Sequence, residues 1–90
     1  MTHLSRLDAR QESNWITRIR QNHALEHATL HVLSDTYRGL RLVGHSSPWG
    51  FAIYGDVPPE SVLLAAREGL QRLQRGERHL AVHPSCGSNL

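Results

Sequence analysis

The sequence predicts a small α+β domain in the order helix, strand, strand, helix, strand. Three observations carry that prediction. No Gly or Pro occurs from about residue 8 to 36, and apolar residues recur there at helical spacing. Two short alternating segments then flank the turn-forming run Ser46-Ser47-Pro48-Trp49-Gly50. After them, a helical pattern opened by proline and closed by glycine leads to a third alternating segment.

The first helix is expected over about 8–36. Ile16, Ile19, His23, Glu26, His27, Leu30 and Leu33 fall on one broad stripe, while Leu25, Ala28 and Val32 form a second one nearly opposite. A helix apolar on two sides is buried on both, by the sheet and by a second surface: a partner, another subunit or a membrane. Gly39 ends this helix. A hairpin follows over about 39–56, with Leu40, Leu42 and Gly44 alternating in one strand and Phe51, Ile53 and Gly55 in the other. Pro58-Pro59-Glu60 opens the second helix, expected over about 59–75, with Val62, Ala66, Gly69, Leu70 and Leu73 on its buried face and Gly76 as its stop. Leu80 and Val82 alternate with His79, Ala81 and His83 in a third strand over about 79–83, and a cysteine-containing tail occupies 84–90. A right-handed crossover makes that strand parallel to the second. The expected architecture is a three-stranded sheet with both helices on one face.

Ninety residues make one domain with a limited core, the size range in which a metal or a partner commonly adds stability. A single cysteine, Cys86, excludes an internal disulfide. The formal charge is +2 and every basic residue is arginine, spread from Arg6 to Arg78 without a dense run. Nucleic-acid binders concentrate positive charge on one stripe, so no nucleic-acid partner is expected. No apolar run approaches the roughly 20 residues of a membrane helix, and no signal-peptide pattern opens the chain.

The chemistry concentrates in His23-Ala24-Leu25-Glu26-His27, with His31 four residues on. Residues three and four apart on a helix have Cβ atoms roughly 5–6 Å apart, so His23, Glu26, His27 and His31 share one face. Two imidazoles at that spacing can bind one transition metal, and a carboxylate beside them can be a further ligand or a proton acceptor. Burying four ionisable groups without a partner is costly, and a metal removes that cost. The tail offers more donors. His83 and Cys86 are separated by Pro84-Ser85, a tight turn that lets both face one point. Imidazole and thiolate are good zinc ligands, and sulfur also admits copper(I) or iron. Cys86 could instead be a nucleophile, with the Gly87 amide near an oxyanion and His23 or His27 as base. The aromatic hairpin tip, Trp49 and Phe51 with Tyr54, is expected to finish a small core. His45 and His79 are expected to be solvated or strand-edge residues.

His23 to His27 also matches H-x-x-E-H, and so resembles the inverzincin metalloproteases. That resemblance implies zinc on the two histidines, Glu26 activating water, and a further acidic ligand from a later helix, for which Glu60 and Glu68 are available. More of the chain is covered by four motifs in order: Asn-His-Ala-Leu-Glu-His-Ala-Thr at 22–29, Pro-Trp-Gly-Phe at 48–51, Tyr-Gly-Asp-Val at 54–57 and His-Pro-Ser-Cys-Gly-Ser-Asn at 83–89. From about Asn14 onward the sequence resembles an uncharacterised bacterial domain-of-unknown-function family. Members of that family often continue past the Cys-Gly-x-Asn segment into membrane helices. The resemblance therefore implies the cytoplasmic-side soluble part of a longer, membrane-associated protein, with a membrane-helix segment or a second copy of the chain as partner. It implies no reaction.

The expected function is transition-metal binding, with zinc as the leading metal. His23, His27 and Cys86 are the ligands, His31 and His83 the reserves, and Glu26 the base of a metal-dependent hydrolase. The alternatives are a metal-stabilised interaction or sensor domain without turnover, and a cysteine-dependent enzyme with Cys86 as nucleophile.

Overall fold

The computed structural model describes residues 2–81, and side-chain surroundings from residue 14 onward. The first helix, α1, spans Thr2–Thr36 and so begins earlier than expected. At about 1.5 Å per residue its 35 residues account for the 54 Å long axis of the molecule. It ends where the Tyr37 amide donates to the Leu33 carbonyl at 2.7 Å and Gly39 takes φ +83°, a left-handed conformation that glycine adopts without steric cost.

Strands β1 (Val43–Ser47) and β2 (Gly50–Tyr54) form an antiparallel hairpin, paired from Val43↔Tyr54 to Ser47↔Gly50. The turn is therefore only Pro48-Trp49, with the Trp49 amide donating to Ser47 Oγ at 3.2 Å. Leu40 to Leu42, expected in the first strand, precede it. Directly paired residues share a face. Gly44, Ser46, Phe51 and Ile53 lie half-buried on the face toward α1, whereas Val43, His45 and Tyr54 are exposed on the other.

The second helix, α2, spans Pro59–Gln74, with Pro at its first position and the Ser61 and Val62 amides closing on the Pro58 carbonyl. Its end is a Schellman motif: Gly76, at φ +97°, donates to the Leu73 carbonyl, and Glu77 donates to that of Arg72. The Arg72 guanidinium also donates to Glu77 Oε1 through Nε at 3.0 Å and through a terminal nitrogen at 2.9 Å. This contact holds the Glu77 carboxyl below its ordinary pKa and raises that of Arg72.

The third strand is the main departure from expectation. Residues Arg78–Ala81 form a 3-10 helix, and among the described residues the sheet has two strands. The clamped Glu77 starts this turn by accepting from the Leu80 amide at 3.2 Å, and Leu80 is then buried at 3 % exposure. An alternating apolar pattern is satisfied equally by one buried leucine in a tight turn. Residues 82 and 83 lie outside the described residues.

The layering also differs. The hairpin packs on α1, but α2 packs on α1 and the 3-10 helix rather than on the sheet. Ile16 and Ile19 of the first stripe stay exposed, while over its second half α1 has the hairpin on one side and α2 on the other. Close approach there depends on small residues: a Cβ on Gly69 would lie 3.1 Å from Ala28 Cβ and 3.3 Å from the Thr29 nitrogen. The Tyr37 hydroxyl meets Ser61 Oγ at 2.8 Å at the other end of this contact. Among the described residues the buried apolar side chains are Ala28, Leu33, Ala65 and Leu80. Trp49 does not finish the core: it is 77 % exposed and meets half-exposed Trp15 edge-on, with ring centroids 5.0 Å apart. Tyr54 is also exposed. No helix among the described residues is long and apolar enough to cross a membrane.

Candidate metal centre

The middle of α1 builds the site. One helical turn carries His23, Glu26 and His27 on the side facing the hairpin and the 3-10 helix. Each can offer one ligand atom such that all three lie within 4.8 Å of one another. A tetrahedral ion with nitrogen and oxygen ligands at about 2.0–2.2 Å spaces those ligands roughly 3.4 Å apart. Small side-chain rotations therefore close the group on an ion.

Burial sharpens the chemistry. His27 is 2 % exposed and Glu26 6 % exposed, while His23 is half-buried. The two imidazoles meet edge-on with centroids 4.2 Å apart. His27 Nδ1 lies 2.9 Å from the Ala81 carbonyl oxygen. A carbonyl only accepts, so Nδ1 carries the proton and Nε2 presents the lone pair. An outer partner of this kind fixes the tautomer and orientation of a metal-binding histidine. His27 Nε2 and Glu26 Oε2 are 3.9 Å apart, close to the roughly 3.4 Å spacing of two ligands on one tetrahedral ion. Among the described residues no fully buried side-chain nitrogen or oxygen lacks a hydrogen-bond partner, and the Glu26 side chain keeps a slight exposure.

Supporting contacts come from strand β1 and from α1 itself. Asn22 Nδ2 donates to the Ser47 carbonyl at 2.7 Å and ties the hairpin to α1 one turn before Glu26. Gly44 of β1 lies directly against the Glu26 side chain. Thr29, fully buried, turns its hydroxyl back to the Leu25 carbonyl at 2.7 Å and needs no outside partner.

The sequence-predicted residues separate as follows. His23, Glu26 and His27 are brought together. His31 is half-buried one turn further along and lies outside that group. Cys86 and His83 lie outside the described residues. Glu60 and Glu68, the carboxylates implied by the inverzincin resemblance, are exposed on α2 and outside the group; Glu68 lines the α1–α2 groove beside Thr36. His45 and His79 are exposed, as expected. Sequence reasoning missed the Ala81 carbonyl, since any residue supplies one. It also missed Gly44, for which a glycine inside a strand was the available signal of close approach.

Comparison with known proteins agrees with the motif pattern. An uncharacterized protein of Picosynechococcus sp. (strain ATCC 27264 / PCC 7002 / PR-6) is 37 % identical over 81 residues, which cover 80 % of this chain. The matched region covers 40 % of that relative's length. No solved structure matches the chain. Residues 18–90 match the domain of unknown function DUF6391, and the chain belongs to that family.

Proposed function

We propose that this chain is a transition-metal-binding domain that takes zinc at His23 and His27, with Glu26 beside them and Cys86 arriving from the tail. The observation that carries the proposal is the His27 arrangement. Its Nδ1 proton is committed to the Ala81 carbonyl, its Nε2 lies 3.9 Å from Glu26 Oε2, and the ligand atoms of the three residues lie within 4.8 Å of one another. The donor set fits a borderline-soft ion such as zinc: two imidazoles and a carboxylate, plus a thiolate. The tail has the reach to deliver it. Cys86 follows Ala81 by five residues, which at about 3.3–3.6 Å each span up to roughly 17 Å.

A hydrolytic reading is favoured by one feature of Glu26. Its carboxylate is buried at 6 % exposure, and the His27 Nε2 nitrogen lies 3.9 Å from it. A carboxylate in that position can take a proton from water. The alternative is a closed site in which Glu26 is itself a ligand and the metal holds the fold together.

Metal analysis of the purified protein tests the proposal; close to one equivalent is expected. A folded, metal-free preparation that neither binds added zinc nor gains stability from it would refute it. Glu26→Gln then separates the two readings. A base gives a variant that keeps its metal and loses turnover, whereas a ligand gives one whose metal affinity falls.

A further inference from the structure

The first hairpin strand crosses the metal cluster at Gly44, and nothing in its backbone asks for glycine there. Gly44 is not among the residues with positive φ. Space is what it provides. A Cβ at this position would lie 2.7 Å from both Cγ and Cδ of Glu26 and closer still to Oε2. The methyl would therefore meet most of the glutamate side chain and not merely its flexible end. Neither partner can simply withdraw. Glu26 is buried in the middle of α1. The strand is fastened to the same helix by the bond from Asn22 Nδ2 to the Ser47 carbonyl. A side chain at position 44 would turn the carboxylate away from the two imidazoles.

We infer that Gly44 is a positioning residue of the metal site: the missing side chain is the space that holds the Glu26 carboxylate against His23 and His27. This rests on the metal reading above. It adds that the hairpin, which contributes no candidate ligand of its own, sets the metal affinity.

The test compares wild type, Gly44→Ala, Glu26→Ala and the double variant. Folding is read by circular dichroism, zinc affinity by chelator competition, and coordination by cobalt(II) absorption. Loss of an outer-shell partner lowers metal affinity by about 10–100-fold, and a loss of that size is expected for Gly44→Ala, with an altered cobalt spectrum. In the Glu26→Ala background the same change should cost nothing further, because the side chain it displaces is gone. Unchanged zinc affinity in Gly44→Ala, or losses that multiply in the double variant, would overturn the inference while leaving metal binding intact. A wild type that binds no metal would overturn both. Should Gly44→Ala fail to fold, the double variant is expected to fold; if it too fails, Gly44 serves the hairpin and not Glu26.

Discussion

Replacing His27 by alanine tests the site as a piece of the fold, independently of any metal. The imidazole is 2 % exposed, so its removal leaves a space that the two anchored walls, hairpin and 3-10 helix, cannot fully close. Truncating buried side chains of similar size costs about 2–5 kcal/mol, and the polar wall supplied by Glu26, which lets water enter, puts this site near the lower end. The Ala81 carbonyl also loses its donor. An abandoned, partly buried acceptor adds about 1 kcal/mol, the lower bound of the range for unsatisfied groups. A loss of about 3 kcal/mol is therefore expected, which at roughly 4–8 °C per kcal/mol for a domain of this size lowers Tm by at least about 12 °C. His45→Ala, on the exposed sheet face, should stay within about 0.5 kcal/mol of wild type. Urea unfolding followed by circular dichroism measures both. Zinc at a hundred times its Kd should add about 2.7 kcal/mol to the wild type and to His45→Ala, and nothing to His27→Ala. A His27→Ala protein within about 1 kcal/mol of wild type in metal-free buffer would refute the packing described for this side chain.

Gly69→Val should destabilise the domain, although valine is a better helix former than glycine. The propensity gain is a few tenths of a kcal/mol, while a branched side chain must enter where even a Cβ meets Ala28 at 3.1 Å, an overpacking cost of about 1–3 kcal/mol; a variant as stable as wild type in urea would contradict the α1–α2 contact. Glu77→Gln should lower Tm at neutral pH. Because the Arg72 contact holds the folded-state pKa of Glu77 below its ordinary value, its contribution is present above the unfolded pKa and is lost as pH falls through the folded one. Wild-type and variant melting curves should therefore converge in acid, and a difference that is the same at every pH would rule out that linkage.

The candidate site was legible because most of it is local. His23, Glu26 and His27 sit on one helical turn, so the helical period alone brings their side chains together. The helix stops were legible for the same kind of reason. Gly39 and Gly76 adopt the left-handed conformation that the chain needs just past each helix, and Pro59 occupies the first position of α2. Family membership likewise followed from motifs in order, now matched over residues 18–90.

What the sequence alone determined was thus the short-range part: two helices, one hairpin, and three ionisable side chains on one helical turn. Only the tertiary structure decided what surrounds them. Alternation around Leu80 fits a strand as well as a tight turn. The 3-10 helix wins because Glu77 is clamped by Arg72, Leu80 is buried and the Ala81 carbonyl accepts a hydrogen bond from His27 Nδ1. Each of those partners is remote from Ala81 in sequence or meets it only after the chain has turned. That α2 would cover α1 was likewise hidden, because Gly69 and Ala28 carry no signal beyond being small. Gly44 reads as an ordinary strand glycine until α1 places Glu26 beneath it. Spacing along a helix fixes which side chains are neighbours; which backbone closes over them depends on packing between segments that no local pattern encodes.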